Sequence, residues 1–377
     1  MRIAVIGAGI AGLVAAYGFQ RDGHDVVVFE QRRDPSADGA GLTLFGNGLA
    51  ALDAVGLGGL VRELSSDAIA GMRAGQRHPS GRWLFTLPPR AVASLRSIHR
   101  VTLHQALVEQ LQPGTLHTGA SAIVAADGSG NVTVARTTQR FDVVIAADGR
   151  RSRNRAALGL DPGLSYAGYT AWRGVTNVQV ELDGAVGETW GRGRIFGIVP
   201  LPENRLYWFS TLNTPAGTEF GDEHAAVRTT FGTWHAPIPQ ILEATSPHDV
   251  IRHDIYDLAK PLTALARGRT VLMGDAAHAM TPNLGQGAGQ GIEDAATITL
   301  LLRGAQADGV DDALASYSRI RSRRTASLWR QSRLMAKVAQ ASGPVTGGLR
   351  DLGMRVVPGR LAGVASAGMH FWDEPAG

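Results

Sequence analysis

The sequence predicts an α/β fold in which a mostly parallel sheet covered by helices is interrupted by an antiparallel sheet and followed by C-terminal helices. Three observations predict it. The chain opens with a strand, a glycine-rich turn and a helix, short extended runs fill 166–212, and a long amphipathic helix is indicated at 311–340. With 377 residues, the chain is long enough for two closely packed domains.

The composition is that of an ordinary globular protein and excludes several kinds of site. Hydrophobic residues make up 44% and charged residues 19% of the chain, and the net charge is +4. Because there is no cysteine, disulfides, thiolate metal sites, cysteine nucleophiles and redox-active cysteine pairs are excluded. His278 lacks metal-ligand spacing to other residues, so we interpret it as structural and expect no metal. Any redox chemistry must come from a bound cofactor.

The first 30 residues have the pattern of a complete nucleotide-binding unit. The unit consists of a strand at 2–6, a glycine-rich turn, a helix at 13–20 and a strand at 25–29 that ends at Glu30. Gly7 permits the turn, Gly9 lets a pyrophosphate approach the backbone, and Gly12 lets the helix pack on the sheet. The helix N-terminus favours phosphate, and Glu30 can accept hydrogen bonds from a ribose. The motif predicts a Rossmann-like domain and does not separate NAD from FAD.

After this unit, the pattern departs from that of a simple NAD-binding domain. A glycine-rich extended segment at 39–44 replaces the next strand–helix repeat. Periodicity predicts the later elements, which in chain order are a helix at 47–55, a helix at 98–111, a hairpin within 115–136, strands at 169–175, 187–190, 194–200 and 205–212, a helix at 222–243 broken by prolines, and the long helix at 311–340.

Two further motifs follow buried apolar strands. The strand at 141–147 leads into Asp148-Gly149-Arg150-Arg151-Ser152-Arg153-Asn154-Arg155. The strand at 270–273 leads into Gly274-Asp275 and then, through Pro282-Asn283-Leu284-Gly285-Gln286-Gly287, into a helix predicted from about 289 to 303. We expect Glu293 and Asp294 in the first turn of that helix, and no helix beginning at Asp275.

Together with the opening unit, these motifs resemble those of the class A flavoprotein monooxygenases, the p-hydroxybenzoate hydroxylase-like family, over residues 1 to about 330. The resemblance implies a Rossmann-like FAD-binding domain of the glutathione reductase type, an inserted antiparallel-sheet substrate domain and C-terminal helices. The expected boundaries are 1–72, 95–165 and 265–305 for the FAD-binding domain, 73–94 and 166–264 for the substrate domain, and 306–377 for the helical segment.

The resemblance also implies which residues contact the cofactor. The first motif would hold the ADP part of FAD, the second would contact FAD and NAD(P)H, and Asp275 would hold the ribityl chain. The N–H groups at Gly285-Gln286-Gly287 can face the flavin edge that carries negative charge after reduction. The predicted cofactor-binding residues are Gly7, Gly9, Gly12, Glu30, Arg32, Gly41, Arg100, Asp148, Gly149, Arg155, Gly274, Asp275, Pro282, Gly285, Gln286 and Gly287.

The substrate-binding residues are expected on the inserted sheet. The run at 194–209 looks most like the urate- and hydroxynicotinate-type hydroxylases of the family, in which an arginine and a tyrosine at these positions contact the substrate. We therefore expect Arg194 and Tyr207, with Phe196 and Phe209, to bind substrate. Asn283 stands where the urate enzymes carry an acidic residue, which weakens urate as the substrate. No catalytic base is assigned.

The expected reaction is hydroxylation of a small aromatic or heteroaromatic ring with NAD(P)H and O2 through a C4a-hydroperoxyflavin. Three alternatives stay open: an epoxidase or a tailoring hydroxylase of a larger natural product, an FAD reductase or dehydrogenase that does not use oxygen, and a non-enzymatic FAD-binding sensor.

The chain opens in a strand and has no long apolar run, so a cytoplasmic protein without membrane contact is expected. The arginines between 319 and 324 are interpreted as a solvated helix face, with no nucleic acid expected. A monomer or homodimer is expected.

Overall fold

The computed structural model describes residues 1–34, 40–305, 309–356 and 370–375. Gly39, in the extended segment predicted at 39–44, lies outside the described residues. So do residues 306–308, 357–369 and 376–377 of the predicted C-terminal segment.

The chain forms strands and helices in the following order. The strands are β1 (Arg2–Ile6), β2 (Asp25–Glu30), β3 (Gly41–Leu44), β4 (Arg73–Arg77), β5 (Trp83–Thr86), β6 (Arg96–His99), β7 (Leu116–Thr118), β8 (Ala122–Val124), β9 (Asn131–Val134), β10 (Thr137–Arg140), β11 (Val143–Ala146), β12 (Leu164–Val175), β13 (Ala185–Trp190), β14 (Arg194–Pro200), β15 (Leu206–Asn213), β16 (Ile251–Leu258), β17 (Ala266–Arg267) and β18 (Thr270–Leu272). The helices are α1 (Ile10–Arg21), α2 (Gly46–Ala54), α3 (Gly58–Leu64), α4 (Arg100–Glu109), α5 (Arg153–Ala157), α6 (Glu223–Phe231), α7 (Ile238–Glu243), α8 (Asp275–His278), α9 (Gly287–Leu302), α10 (Val310–Ala339) and α11 (Pro344–Val356).

Six strands form a mainly parallel sheet in the order β17-β18-β11-β1-β2-β7. All pairings are parallel except that of the edge strand β17 with β18. The central strands are short apolar runs, and every residue of β11 is buried, as expected for a parallel sheet covered on both faces. The carboxyl ends of β1, β2, β11 and β18 therefore lie at one edge, where open α/β sheets bind their ligands.

Seven strands form a second, mainly antiparallel sheet in the order β16-β12-β15-β14-β13-β4-β5. Its outer face carries Phe196 and Trp208, which stack on each other and pack with Phe231 of α6. Its inner face carries Tyr207, which packs near Ala40 of the parallel-sheet half. Because side chains alternate along each strand, the register between strands decides which residues share a face.

A buried ionic cluster joins α9 to α10. Arg321 donates hydrogen bonds of 2.5 Å to Asp294 and to Glu293, and all three side chains are 0% exposed. Burial alone would raise the pKa of each carboxyl, but the positive partners, Arg321 among them, outweigh it and hold both pKa values below the ordinary range. Removing one member of such a cluster leaves a buried charge uncompensated, so the cluster fixes α9 against α10.

The structure corrects three details of the predicted elements. Residues 96–99 pair with β3 as strand β6, so the predicted helix at 98–111 begins instead at Arg100. Because α9 begins at Gly287, Glu293 and Asp294 lie in its second turn and not in its first. A short helix, α8, begins directly at Asp275, where none was expected. Within the described residues, the structure contains no helix with both the length and the apolar character needed to span a membrane.

Candidate active site

The turn between β1 and α1 is shaped for close approach by a ligand. Gly7 has a φ of +107°, and a methyl group there would lie less than 3.0 Å from the Ala147 carbonyl. A methyl group on Gly12 would come equally close to the Gly7 carbonyl. By contrast, no described atom lies within 4 Å of the space that a side chain at Gly9 would enter. Helix α1 has no side-chain cap, so the N–H groups of its first turn are available to a phosphate.

Glu30 ends β2 beside this turn, and backbone groups orient its carboxylate. It accepts hydrogen bonds of 2.9 Å from the Ala8 N–H and from the Arg32 N–H. Arg32, also predicted to bind the cofactor, is exposed at the same edge of the sheet. The carboxylate therefore lies where it can accept hydrogen bonds from a ribose.

The third motif places one carboxylate in the open and another in the core. Asp275 opens α8 with an exposed side chain, although Ala276 next to it is fully buried. The turn before it depends on Gly274, which has a φ of +59° and donates its N–H to Asp294 at 2.8 Å. The same Asp294 carboxylate oxygen lies 2.5 Å from His278 Nε2. This bonding supports the interpretation of His278 as a structural residue.

Helix α9 begins at the same edge with its first turn open. Gly285, with a φ of +64°, leads into Gln286, which is 1% exposed and accepts a 2.8 Å hydrogen bond from Asn47 at Oε1. Within the described residues, the buried Nε2 of Gln286 has no hydrogen-bond partner. The helix has no side-chain cap, and no described atom lies within 4 Å of where a side chain at Gly287 would project. Pro282, predicted with this group, is exposed.

The polar side chains of the second motif mainly form hydrogen bonds within the protein. Asp148 accepts hydrogen bonds from the Asn154 N–H at 3.1 Å and from its amide group at 2.9 Å, so its predicted cofactor contact stays a prediction. Arg155 is 1% exposed and donates to the Ala276 carbonyl at 3.0 Å, and its other nitrogens donate to protein oxygens. The cofactor contact of Arg155 stays a prediction, and its side chain faces α8. Gly149 has a φ of +80° and open space beside it.

The two halves of the molecule meet at Gly41 and Tyr207. A methyl group on Gly41 would lie less than 3.0 Å from Cβ and Cγ of Tyr207. Arg100 opens α4 next to this contact, donating its N–H to the Ala40 carbonyl at 2.9 Å, and it is exposed. Burial raises the pKa of Tyr207, and the charges of Arg173 and Arg100 only partly offset that effect. The Tyr207 hydroxyl is therefore protonated at neutral pH and is influenced by the charges of two arginines.

The four residues predicted to bind substrate lie on opposite faces of the sheet. Arg194 donates to the Thr230 carbonyl of α6 at 3.3 Å and lies over the Trp234 ring, 6.0 Å from its centroid. Phe196 is fully buried on the same outer face. Contact of Arg194 and Phe196 with substrate stays a prediction, one that the helices packed on their face do not favour. Tyr207 and Phe209 lie on the inner face, with ring centroids 6.1 Å apart, and stay candidates.

Sequence reasoning missed three polar residues of the inner face. Arg173 pairs in register with Phe209, and Glu188 pairs with Gly197, which pairs with Phe209 from the other side. Tyr169 shares this face and donates its hydroxyl to Asn283 at 2.7 Å. The alternation of Tyr169, Ala171, Arg173 and Val175 was a usable signal for one strand. Only the pairing between strands shows that these residues face Tyr207.

The residues at the sheet edge fit FAD. The open space beside Gly9 and Gly287 lies at two uncapped helix N-termini, which favour phosphate and other electron-rich groups. An exposed carboxylate at Asp275 can accept hydrogen bonds from hydroxyl groups, and the unpartnered Nε2 of Gln286 can donate one. This donor and acceptor set matches a long, polar, phosphate-bearing ligand.

Comparison with known proteins agrees with this fit. A family model described as FAD binding domain matches residues 1–332. The chain is 34% identical to the aurachin C monooxygenase/isomerase of Stigmatella aurantiaca, with 86% of each chain covered. It is 31% identical to the 2-heptyl-3-hydroxy-4(1H)-quinolone synthase of Pseudomonas aeruginosa, over 95% of this chain and 94% of that protein.

A solved structure with a similar fold carries the same cofactor. Klebsiella pneumoniae HpxO complexed with FAD and uric acid superposes with a TM-score of 0.88 at 25% identity, covering 98% of this chain and 96% of that chain. The similarity covers both sheets and the C-terminal helices, because almost all of the chain is included.

Proposed function

We propose, given that this chain belongs to the FAD binding domain family of class A flavoprotein monooxygenases, that it hydroxylates a small heteroaromatic ring with FAD, NADH or NADPH, and O2. One observation carries the proposal. The half of the molecule that carries the glycine-lined edge meets the inner face of the second sheet where Gly41 of β3 contacts Tyr207 of β15. A ring held on the inner face would lie beside a flavin held at the edge.

The proposed cofactor contacts follow the edge of the parallel sheet. Gly9 and the N-terminus of α1 would receive the pyrophosphate, Glu30 the ribose and Asp275 the ribityl chain. The N-terminus of α9 at Gly287 would face the flavin edge that becomes negative on reduction. In this division the segments 1–72, 95–165 and 265–305 form the cofactor domain, and 73–94 with 166–264 form the substrate domain.

Bound FAD would supply the redox chemistry, in which electrons come from the nicotinamide and one oxygen atom of O2 reaches the ring. The chain's own residues would position and shield that ring. Arg173 offers a positive charge and Tyr207 a hydroxyl donor, which together suit a carbonyl or phenolate oxygen. Phe209 and the buried Trp190 form an apolar cluster on the same face, which would exclude water.

A fused nitrogen heterocycle with a ring carbonyl is the substrate class we favour. The Pseudomonas relative is named for a 4(1H)-quinolone, and the Klebsiella structure holds uric acid. Both ligands are fused nitrogen heterocycles with ring oxygens, and such an oxygen suits Arg173 and Tyr207. Asn283 accepts the Tyr169 hydroxyl as a neutral amide where the urate enzymes carry an acid, which favours a ring other than urate.

The test is substrate-dependent turnover by the FAD-loaded protein. Oxidation of NADH and NADPH would be followed by absorbance with 4(1H)-quinolone, salicylate and urate, and products would be identified by mass spectrometry. The proposal predicts one equivalent of FAD per chain and a hydroxylated product that accounts for most of the reductant consumed. Oxidation that yields only hydrogen peroxide with every ring would favour a reductase whose reduced flavin loses its electrons to O2 without oxygenating a ring, and absence of any oxidation would favour the sensor.

A further inference from the structure

We propose that Glu188 binds the substrate edge opposite to the one held by Arg173 and Tyr207, so that the site selects a fused ring with polar groups on two opposite edges. This inference rests on the proposed function, because it concerns the same inner face. It adds a specificity residue and a property of the substrate.

Glu188 and Arg173 stand at the two ends of one row across the inner face. In register, Glu188 of β13 pairs with Gly197, Gly197 with Phe209, and Phe209 with Arg173 of β12. Three strand spacings separate the ends of the row, so the two Cα atoms lie about 14 Å apart. Both side chains also influence Tyr169, whose pKa is raised chiefly by burial, further raised by Glu188 and lowered by Arg173. By strand register, Glu188 and Arg173 both lie on the face that carries Phe209.

The middle of the row is apolar and flat. Gly197 contributes no side chain, and the Phe209 ring lies over it so closely that a methyl group on Gly197 would be less than 3.0 Å from the ring. An aromatic substrate can stack on the Phe209 ring with one edge toward Arg173 and the other toward Glu188.

Glu188 has an unused hydrogen-bonding oxygen. Trp190 donates its indole N–H to Oε2 at 2.6 Å, and within the described residues no arginine, lysine or histidine forms a salt bridge with this carboxyl. Burial raises its pKa, and the bond from Trp190 offsets this only in part. A partly buried acid without a cation is unfavourable for folding alone, so its place on the binding face indicates a function.

The chemistry of the row describes the ligand. Arg173 and Tyr207 suit a carbonyl or phenolate oxygen, and the carbonyl oxygen of the Glu188 carboxyl can accept a hydrogen bond from a ring N–H. In 4(1H)-quinolone the carbonyl and the N–H lie on opposite sides of the ring, so it matches both ends. A ring of equal size with a single polar edge, such as 1-naphthol, matches only the Arg173 end.

The experiment compares these two probes on FAD-loaded protein. Dissociation constants would be measured from the change in flavin absorbance for the wild type, Glu188→Leu, Glu188→Gln and the control Glu181→Gln, an exposed acid just before β13. The inference predicts that Glu188→Leu raises the dissociation constant of 4(1H)-quinolone about tenfold or more, which is the usual effect of one lost hydrogen bond. The dissociation constant of 1-naphthol should change by less than about twofold. Glu188→Gln keeps an accepting oxygen and should restore most of the affinity, and Glu181→Gln should match the wild type.

Two results would overturn the inference while leaving the proposed function intact. Equal weakening of both probes by Glu188→Leu would mean that Glu188 only supports Trp190. Equal affinity of the wild type for 4(1H)-quinolone and 1-naphthol would mean that Glu188 does not contribute to substrate selection. Failure of the wild type to hold FAD or to oxidise a reduced nicotinamide with any ring is a different outcome, and it would remove the proposed function itself.

Discussion

Tyr207 packs its side chain directly against the backbone of Gly41. Gly41 belongs to β3 in the parallel-sheet half, and Tyr207 belongs to β15 in the antiparallel sheet. A single added methyl group on Gly41 would lie less than 3.0 Å from three carbon atoms of Tyr207. The contact thus fixes the distance between the edge of the parallel sheet and the face on which a substrate would lie.

Replacing Gly41 with alanine should therefore move Tyr207. Overpacking of this kind typically costs about 1–3 kcal/mol, so we expect KM for the ring substrate to rise about tenfold. KM and the flavin absorbance per chain would be measured together. Gly59→Ala is the matched control, because no described atom lies within 4 Å of that position, and it should behave as the wild type. An unchanged KM in Gly41→Ala would contradict the proposed role of Tyr207.

Alanine substitutions at two glycines of the first turn should have different effects on FAD binding and on stability. Gly9 has an extended backbone with φ of −73° and open space beside it, so Gly9→Ala should leave the thermal stability of the apoprotein unchanged. It should weaken FAD binding at least about tenfold, because the methyl group enters the space proposed for pyrophosphate. Gly12→Ala should instead destabilise the apoprotein, since its methyl group meets the Gly7 carbonyl. Calorimetry of apoprotein and FAD titration separate the two effects, and equal FAD affinity in Gly9→Ala and wild type would contradict the assignment.

Replacing Arg321 should leave two buried carboxylates without their shared positive partner. In Arg321→Met, Glu293 and Asp294 lose a fully buried partner, and we expect the free energy of unfolding to fall by about 3–5 kcal/mol at pH 7. Denaturant unfolding would measure this. Arg319→Met, an exposed arginine of the same helix, is the control and should change stability by less than about 0.5 kcal/mol. Equal stability of the two variants would contradict a fixing role for the cluster.

The same cluster predicts how the stability of the folded protein changes with pH. Glu293 and Asp294 have pKa values held below the ordinary range in the folded state, so their contribution is complete above the unfolded values of about 4 and is lost as pH falls through the folded values. Wild-type Tm should therefore be flat from neutral pH to about 5 and fall below about 4. In Arg321→Met, burial becomes the dominant influence and the carboxyl pKa values rise, so its Tm deficit should be smaller at pH 5 than at pH 7. A deficit that does not change with pH would contradict this explanation.

Replacing Arg194 and replacing Arg173 should affect different properties, stability in the first case and KM in the second. Arg194→Ala removes an outer-face contact with Trp234 and should cost about 0.5–1 kcal/mol of stability without changing KM. Arg173→Ala removes the positive charge beside Tyr207 on the inner face and should raise KM about tenfold or more. Steady-state kinetics with one ring substrate decides between them, and a larger KM change in Arg194→Ala would reverse our assignment of the faces.

The cofactor edge could be predicted from the sequence because its signals are local. Gly7, Gly9, Gly12 and Glu30 have fixed spacing within one strand–turn–helix unit, so the turn follows from neighbouring residues alone. The burial of Arg155 against α8 could not be predicted in this way, because it depends on residues distant in the chain.

The substrate face could not be predicted in the same way. Alternation along one strand correctly grouped Arg194 with Phe196 and Tyr207 with Phe209, but it cannot tell which group faces inward. Packing between the two halves sets that choice, because Tyr207 contacts Gly41 of β3, which is far away in the chain. For the same reason Arg173 and Glu188 were missed.

The fate of molecular oxygen tests the account most directly. FAD-loaded protein would be turned over with a reduced nicotinamide and 4(1H)-quinolone under oxygen-18 gas, and the product analysed by mass spectrometry. A monooxygenase predicts one oxygen-18 atom in each hydroxylated product and close to one product per nicotinamide oxidised. A hydroxylated product without oxygen-18, whose new oxygen therefore comes from water, or nicotinamide oxidation that ends entirely in hydrogen peroxide, would contradict the proposed function.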